Sequence, residues 1–363
     1  EHELSLHCLD EGFNLSKLTF TNMTPGITLE HTAGWNMVGL PLIAESTNAQ
    51  DLFPESVNGS LYGFNGTYFS EDGLAPGTGY WLNFYADGSS VIQGEPFAEL
   101  TIEISQGWNL ISGISDEIPI GGINDLENII VDGTIYGFQG VYVTAETIEP
   151  GKAYWIYAST DGDITISSGG AAKIRSSFTD RTAKANKLRF NGSNLYFGVP
   201  IPAEEMLSYQ LPPKPPAGAF DVRFSDNMKV AEKSGAIELM NNSVQLVIIY
   251  DIKDDVDWIL AGDEEYRLSG SGETIVYGDV TGFTLNKVTE MPMAYSVSQN
   301  YPNPFNPVTT IHYDLPVHSH VSIMIYNLMG RRVTTLINEV EEPGYKSVVW
   351  DGTDSFGKPV SAG

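Results

Sequence analysis

The chain alternates apolar and polar positions in short runs, among them "ITLEHTA", "ELTIEIS", "DITISS", "KLRFNG", "QLVIIYDI", "TIVYGD" and "VSIMIYNL". Alternation with a period of two, in segments rich in Ile, Val, Tyr and Thr and bounded by Gly, Asn, Asp and Pro, marks half-buried strands joined by tight turns. Apolar residues at helical spacing are almost absent. Many short strands separated by turn residues predict antiparallel sandwiches, so the expected class is all-β, with tandem small β-sandwich-like domains followed by further β-sandwich domains.

The pattern repeats. "GWNMVGL" at 34–40 recurs as "GWNLISG" 73 positions on; "LYGFNGTYF" at 61–69 recurs as "IYGFQGVYV", and "LAPGTGYWLNFYADG" at 74–88 as "IEPGKAYWIYASTDG", each 74 positions on. Three blocks matching in order define two copies of one unit, placed at 27–100 and 101–170. Residues 1–26 read as an N-terminal strand segment or the remnant of a preceding domain. The polar, locally basic 171–186 reads as a linker, 187–288 as a β-sandwich domain, 289–307 as a Pro-rich connector and 308–363 as a final domain.

Within each copy, Gly34 or Gly107 allows a bend and Trp35 or Trp108 offers a large surface to bury. Asn65-Gly66 is a strong signal for a two-residue type I′ hairpin, and Gln139-Gly140 a weaker one at the same place. "PG" then starts a turn ahead of Tyr80-Trp81 or Tyr154-Trp155. A row of exposed rings at Trp35, Trp81, Trp108 and Trp155 would suit stacking on surface glycans. A repeated core demands the same aromatics at the same places. In the third domain, "LPPKPPAGAFDVRFSD" at 211–226 carries four prolines that impose an extended, polyproline-like segment. Such a segment can serve as an SH3-type ligand, but in an acidic exported chain it is expected to pack along a sheet edge.

Charge narrows the partners. Lys plus Arg is 19 and Asp plus Glu is 46, a formal net charge of −27. Such a polyanion is repelled by phosphate backbones and anionic lipid, which argues against nucleic acid. It suits an extracellular chain kept soluble by self-repulsion. No apolar run approaches the ~18 residues of a membrane span. Cys8 is the sole cysteine, so no intrachain disulfide or cysteine-based zinc or redox site is expected. The opening "EHELSLHCLDEGF" has neither an initiator Met nor a signal peptide, which reads as a processed or fragmentary chain.

Candidate chemistry is sparse. HExxH, GxSxG and P-loop motifs are absent, and no catalytic residue is assigned. His318 and His320, two apart, share a strand face but show no third ligand. Asp251, Asp254, Asp255 and Asp257 in "YDIKDDVDW" are dense enough to hold calcium, a hard cation that takes several oxygens, although the spacing is not that of an EF-hand. Calcium is thus the one cofactor that the residues suggest.

The last part of the chain carries a specific likeness. "YPNPFNP" (301–307), "TTIHYDLP" (309–316), "VSIMIYNLMGRRV" (321–333) and "PGYKSVVWDGTDSFGKPVSAG" (343–363) resemble the C-terminal sorting domain of type IX secretion cargo. They also resemble the related immunoglobulin-like domain of flagellar hook-capping proteins. The resemblance implies an immunoglobulin-like sandwich, recognition by the type IX secretion machinery, and export to the extracellular space or outer cell surface of a diderm bacterium. The residues that carry the motif are Tyr301, Pro302, Asn303, Pro304, Phe305, Asn306, Pro307, Gly330, Trp350, Asp351 and Gly352. The upstream "GWN…YGF…PG.GYW" repeats look like modules of such exported proteins. The family usually continues past "GKPVSAG" with one more aromatic strand, so the final domain is expected to lack its last strand. Three readings of that gap stand: the strand lies beyond this sequence, processing has removed it, or a neighbouring copy supplies it, building a homo-oligomer or fibre by β-strand addition. The readings that follow are a non-enzymatic structural or adhesive protein, a carbohydrate-binding accessory region of a polysaccharide-degrading enzyme, and a self-assembling fibre subunit.

Overall fold

Each repeat is built on a bend, a hairpin and a capped turn. The computed structural model describes residues 24–169, 179–241, 245–254, 256–288 and 291–360. In the first repeat the longer strands are β1 (Gly26–His31), β2 (Gly34–Val38), β3 (Tyr62–Phe64), β4 (Tyr68–Ser70), β5 (Tyr80–Phe84) and β6 (Gly88–Gln93). The second repeats them as β7 (Glu99–Ile104), β8 (Gly107–Ser112), β9 (Tyr136–Phe138), β10 (Tyr142–Thr144), β11 (Ala153–Ala158) and β12 (Gly162–Ser167). β1 pairs antiparallel with β6, and β7 with β12. The four-stranded sheets run β2-β5-β3-β4 and β8-β11-β9-β10.

The repeated letters act on the backbone. Gly34 and Gly107 take φ of +88° and +99°, a left-handed bend that suits glycine. The Asn of "GWN" locks that bend: Asn36 Nδ2 donates to Thr32 O at 2.7 Å and Gly34 O at 3.0 Å, and Asn109 Nδ2 to Ser105 O and Gly107 O at the same distances. The Tyr of "GYW" caps the "PG" turn. Tyr80 OH accepts from Ala75 N at 3.2 Å, and Tyr154 OH from Glu149 N at 3.0 Å. The hairpin differs from the two-residue type I′ turn that Asn65-Gly66 predicts. Phe64 pairs with Tyr68 and Phe138 with Tyr142, so three residues form each loop. Only the glycines, Gly66 and Gly140, have positive φ. The preceding position needs no left-handed backbone, which is why Asn65 and Gln139 serve equally well.

The third domain packs two five-stranded sheets face to face. Its longer strands are β13 (Asn186–Phe190), β14 (Ser193–Phe197), β15 (Asp221–Phe224), β16 (Gly235–Met240), β17 (Gln245–Asp251), β18 (Trp258–Ala261), β19 (Glu265–Leu268), β20 (Ser271–Tyr277) and β21 (Gly282–Lys287). One sheet holds Val230–Ala231, β14, β13, β17 and β20; the other runs β15-β16-β21-β18-β19. Phe190, Phe197, Leu246, Ile248, Trp258 and Leu285 fill the space between them.

Chain contacts divide the molecule into residues 1–286 and 287–363. The second unit contains β22 (Ser296–Val297), β23 (Thr309–Leu315), β24 (Ser319–Tyr326), β25 (Arg332–Glu341) and β26 (Gly344–Trp350). One sheet runs β22-β23-β26, and β24 pairs with β25. The core between them is small: Tyr313, Leu315 and Val321, with Ile323, Ile337 and Val348 at its margin. The Pro-rich stretch is not a spacer leading into this unit, as residue type alone predicts. β22 precedes it and pairs with β23, and Tyr301 exchanges two 2.9 Å backbone hydrogen bonds with Thr310. The prolines have no N–H to offer a central ladder, so they bulge outward between two paired segments.

Candidate functional site

The two repeats share one aromatic layer. Side chains alternate along β5: Tyr80, Leu82 and Phe84 enter the first repeat's own core, whereas Trp81 points the other way. On β11, Tyr154 and Ile156 enter the second core while Ala153 and Trp155 face the shared layer. The rings cross over reciprocally. Trp81 lies 4.7 Å from Phe138 and 6.3 Å from Tyr142 of the second repeat; Trp155 lies 4.8 Å from Phe64 and 6.5 Å from Tyr68 of the first. All four contacts are edge-to-face, the arrangement the ring quadrupole favours.

The backbone obeys the same two-fold relation. Val38 bridges Lys152 and Ile111 bridges Thr78, which are equivalent pairs with the repeats exchanged. Gly39 N donates to Gly151 O, and Ser112 N to Gly77 O, at 2.9 and 3.0 Å. Such close approach requires small residues at the axis. A Cβ on Gly39 would lie 2.1 Å from Ser112 Cβ, and one on Gly79 would lie 2.6 Å from Ala153 Cβ.

The third domain closes this layer with its Pro-rich segment. Leu211 joins the aromatic cluster. Tyr142 OH donates to Pro213 O at 2.7 Å, Tyr68 OH to Lys214 O at 2.9 Å, and Trp35 Nε1 to Ala217 O at 3.0 Å. From its own side the strap is held by Arg223, a fully buried guanidinium. Arg223 Nη1 donates to Pro212 O at 2.7 Å, while Nε and Nη2 grip Asp221 at 2.6 and 2.8 Å. Lys229 Nζ sits 5.2 Å from the Tyr136 ring and 5.5 Å from that of Tyr209. Burial pulls its ammonium down to about 8 and pushes the Tyr142 phenol well above its ordinary value, helped by the neighbouring Tyr68. The segment therefore crosses a domain joint rather than following a sheet edge. Tyr68, Tyr142, Arg223 and Lys229 escaped the sequence reading, although Tyr68 and Tyr142 occupy matching places in the repeats.

This geometry corrects the glycan platform. Trp81 and Trp155 are 0% exposed, and Trp35 and Trp108 stand at 88° to them. The four rings therefore do not form the exposed, coplanar row that stacking on a glycan was expected to use. The described carboxylates of the acidic loop are each engaged within the fold. Asp251 accepts from Ser271 Oγ, Asp254 from Asn186 Nδ2 and Trp258 Nε1, and Asp257 is paired with Arg267. Among the described residues no three His, Cys, Asp or Glu side chains gather to hold a metal ion. His318 instead contacts Glu342 at 3.0 Å. Asp255 and Cys8 lie outside the described residues.

In the second unit the motif residues brace one another. Phe305 packs on Trp350 with ring centroids 5.1 Å apart, and Trp350 Nε1 donates to Thr353 O at 2.9 Å. Asp351 Oδ1 accepts from Thr353 N and Oγ1, which holds its carboxyl below the usual range. Gly352, at φ +73°, is pressed against Pro307: a Cβ there would lie 2.8 Å from Pro307 O. Thr309 Oγ1 donates to Pro302 O at 2.9 Å. Gly330 turns the β24–β25 loop, whose tip exposes Leu328 and Met329.

A proline-braced β module closing an all-β chain defines an exported cargo that carries its address at the carboxyl end. Residues 299–345 match the family model for the secretion system C-terminal sorting domain. Through this tail the chain engages the type IX secretion machinery and is exported to the outer surface or the extracellular space. No curated protein and no solved structure matches the chain. No helix among the described residues is long and apolar enough to cross a membrane.

Proposed function

We propose that this is a structural or adhesive surface protein, non-enzymatic within these residues, whose repeats and third domain form one rigid scaffold presented by the sorting tail. The observation that supports it is the use made of the repeated motif. Gly34, Asn36, Tyr80 and Trp81, with their counterparts Gly107, Asn109, Tyr154 and Trp155, bend, clamp, cap and fill the fold. Residues so engaged are unfit to turn over a substrate. Purified full-length chain, tested against a panel of glycosidic, ester and peptide substrates, is expected to show no turnover. A strain lacking the protein is expected to lose cell–cell or cell–surface cohesion. Hydrolysis abolished by a point substitution in the described residues would overturn the proposal.

A second reading, assembly by strand addition, is favoured by a groove of about 310 Å³ in the second unit, bordered by β22 and β24 and lined by Tyr295, Val297, Leu315, Val321 and Ile323. Each of these two strands has one edge without a strand partner among the described residues. Sedimentation at rising concentration tests it; a monomer at every concentration removes this reading.

A further inference from the structure

The aromatic layer is more than a joint, because of what the strap presents to it. Proline has no N–H, so the run Leu211–Pro216 forms no ladder of its own and is restricted towards extended geometry. A turn follows at Ala217-Gly218, where Ala219 N donates to Pro216 O and Gly218 takes φ +100°. Recognition of such a segment calls for flat rings against the pyrrolidines and fixed donors aimed at the carbonyls. The repeats supply the donors, and Leu211 of the strap packs among their rings. Tyr142 and Tyr68 are equivalent residues of the two repeats, and they donate to adjacent carbonyls, Pro213 O and Lys214 O. The strap therefore crosses the pseudo-two-fold axis, and neither repeat alone contains the site. Trp35 adds a third donor farther along, to Ala217 O, whereas its counterpart Trp108 packs on Tyr157 at 5.3 Å. The direction of the strap is set by that difference.

We propose that the paired repeats form a polyproline-binding site whose resident ligand is the chain's own residues 211–218, and that the same segment from a second molecule is accepted when the resident one is withdrawn. The site recognises a Pro-rich peptide through three aromatic donors in an apolar layer, a chemistry distinct from export and from the sorting tail.

The test uses the full chain with its strap disabled by Pro212→Gly, Pro213→Ser, Lys214→Gly, Pro215→Ser and Pro216→Gly. The probe is a synthetic peptide, QLPPKPPAGAF, followed by tryptophan fluorescence and calorimetry. One peptide is expected to bind per chain, at least tenfold more tightly than to the unaltered chain, where the resident strap competes. Adding Tyr68→Phe and Tyr142→Phe is expected to weaken binding at least tenfold. No binding to a natively folded variant overturns the proposal, as does equal binding of a peptide carrying Ala at all four prolines. If the disabled chain does not fold, the readout moves to the intact chain with Tyr68→Phe and Tyr142→Phe. Amide exchange at Leu211 and Ala219, which donate to Asn227 O and Pro216 O, is then expected to quicken at least tenfold while Leu82 and Ile156 are unchanged. Unaltered exchange at the strap overturns it as well.

Discussion

Alanine at Gly39 probes the symmetric joint at its tightest point. Gly39 and Ser112 occupy equivalent positions and meet across the pseudo-axis, where an added Cβ would sit 2.1 Å from Ser112 Cβ and 2.9 Å from its Oγ. Carbons in contact rest about 3.5–4.0 Å apart, so the methyl group must force the two backbones apart by more than an ångström. That movement strains the bond from Gly39 N to Gly151 O and loosens the ring layer behind it. Overpacking costs about 1–3 kcal/mol, and a lost backbone hydrogen bond about 1 kcal/mol. The expected loss for Gly39→Ala is therefore about 2–4 kcal/mol.

The obstruction is nearly all Ser112, since the next nearest atom, Lys152 O, stands at 3.4 Å. Ser112→Gly removes that Cβ together with an Oγ buried without a hydrogen-bond partner. Alone it costs about 0.5–1 kcal/mol in strand entropy, partly offset by relief of the orphan hydroxyl. Gly39→Ala with Ser112→Gly exchanges the two residues' sizes across the axis and is expected to lie within about 1 kcal/mol of the parent, a coupling of about 2 kcal/mol. Urea unfolding followed by tryptophan emission measures all four corners of the cycle. Additivity to within about 0.5 kcal/mol would mean that the two residues do not meet, and the two-fold joint would be refuted.

Other perturbations follow from the same geometry. Arg223→Ala strands Asp221 in the interior and frees the strap; a loss of about 3–5 kcal/mol is expected, measured by chemical unfolding, with a smaller loss when Asp221→Asn and Arg223→Met are combined. Lys229→Met removes an ammonium whose folded value is about 8 against an ordinary 10.5, a penalty of up to ~3 kcal/mol reduced by ~1 kcal/mol of lost cation–π attraction. Below pH 8 both the folded and unfolded chains hold this proton and the penalty is complete. Between pH 8 and 10.5 the folded chain releases it first, so the variant's advantage should shrink across that window. An advantage that grows there would contradict the burial of Lys229. Gly352→Ala places a methyl group against Pro307 O at a positive φ, at a cost of about 1–3 kcal/mol. The measurable result is faster proteolysis within 301–307 and less protein outside the cell.

What the sequence could convey depended on whether the information was local. The bend at Gly34, the burial of Trp81 and the turn at Pro76-Gly77 are decided within a few residues, and reading the motif twice made them plain. The face on which Trp81 lies was not legible, because alternation says only that Trp81 opposes Tyr80, not that a second sheet waits on the far side. An offset of 73 or 74 reveals two copies but not how they face. Tyr68 and Tyr142 find their acceptors in a segment 146 and 71 residues away, a distance no pattern spans. The Asp251–Asp257 stretch reads as a cation loop because carboxylate density is visible in one dimension. Its partners Asn186, Arg267 and Ser271 come from other strands and loops. The YPNPFNP stretch reads as a connector for a related reason: prolines report local stiffness, whereas β22 and β23 decide that the stretch folds back.

Apolar area alone would leave the joint between the repeats and the third domain free to slide, since rings and prolines pack almost equally well in neighbouring registers. The polar groups remove that freedom. Tyr142, Tyr68 and Trp35 each require a carbonyl at a set place along the strap, and Arg223 requires Pro212 O from the opposite side. A shift of the joint by one residue would leave three aromatic donors facing the wrong atoms, at a cost of about 1–3 kcal/mol for the part-buried Tyr142 and less for the more exposed Tyr68 and Trp35. A few kcal/mol of mismatch is a sizeable fraction of the ~5–15 kcal/mol that stabilises a domain, so one register is selected. Duplication then has a physical consequence beyond length. Two like repeats facing across an axis yield a single strap site with two equivalent tyrosines, and the one donor without an equivalent, Trp35, fixes which way the strap runs.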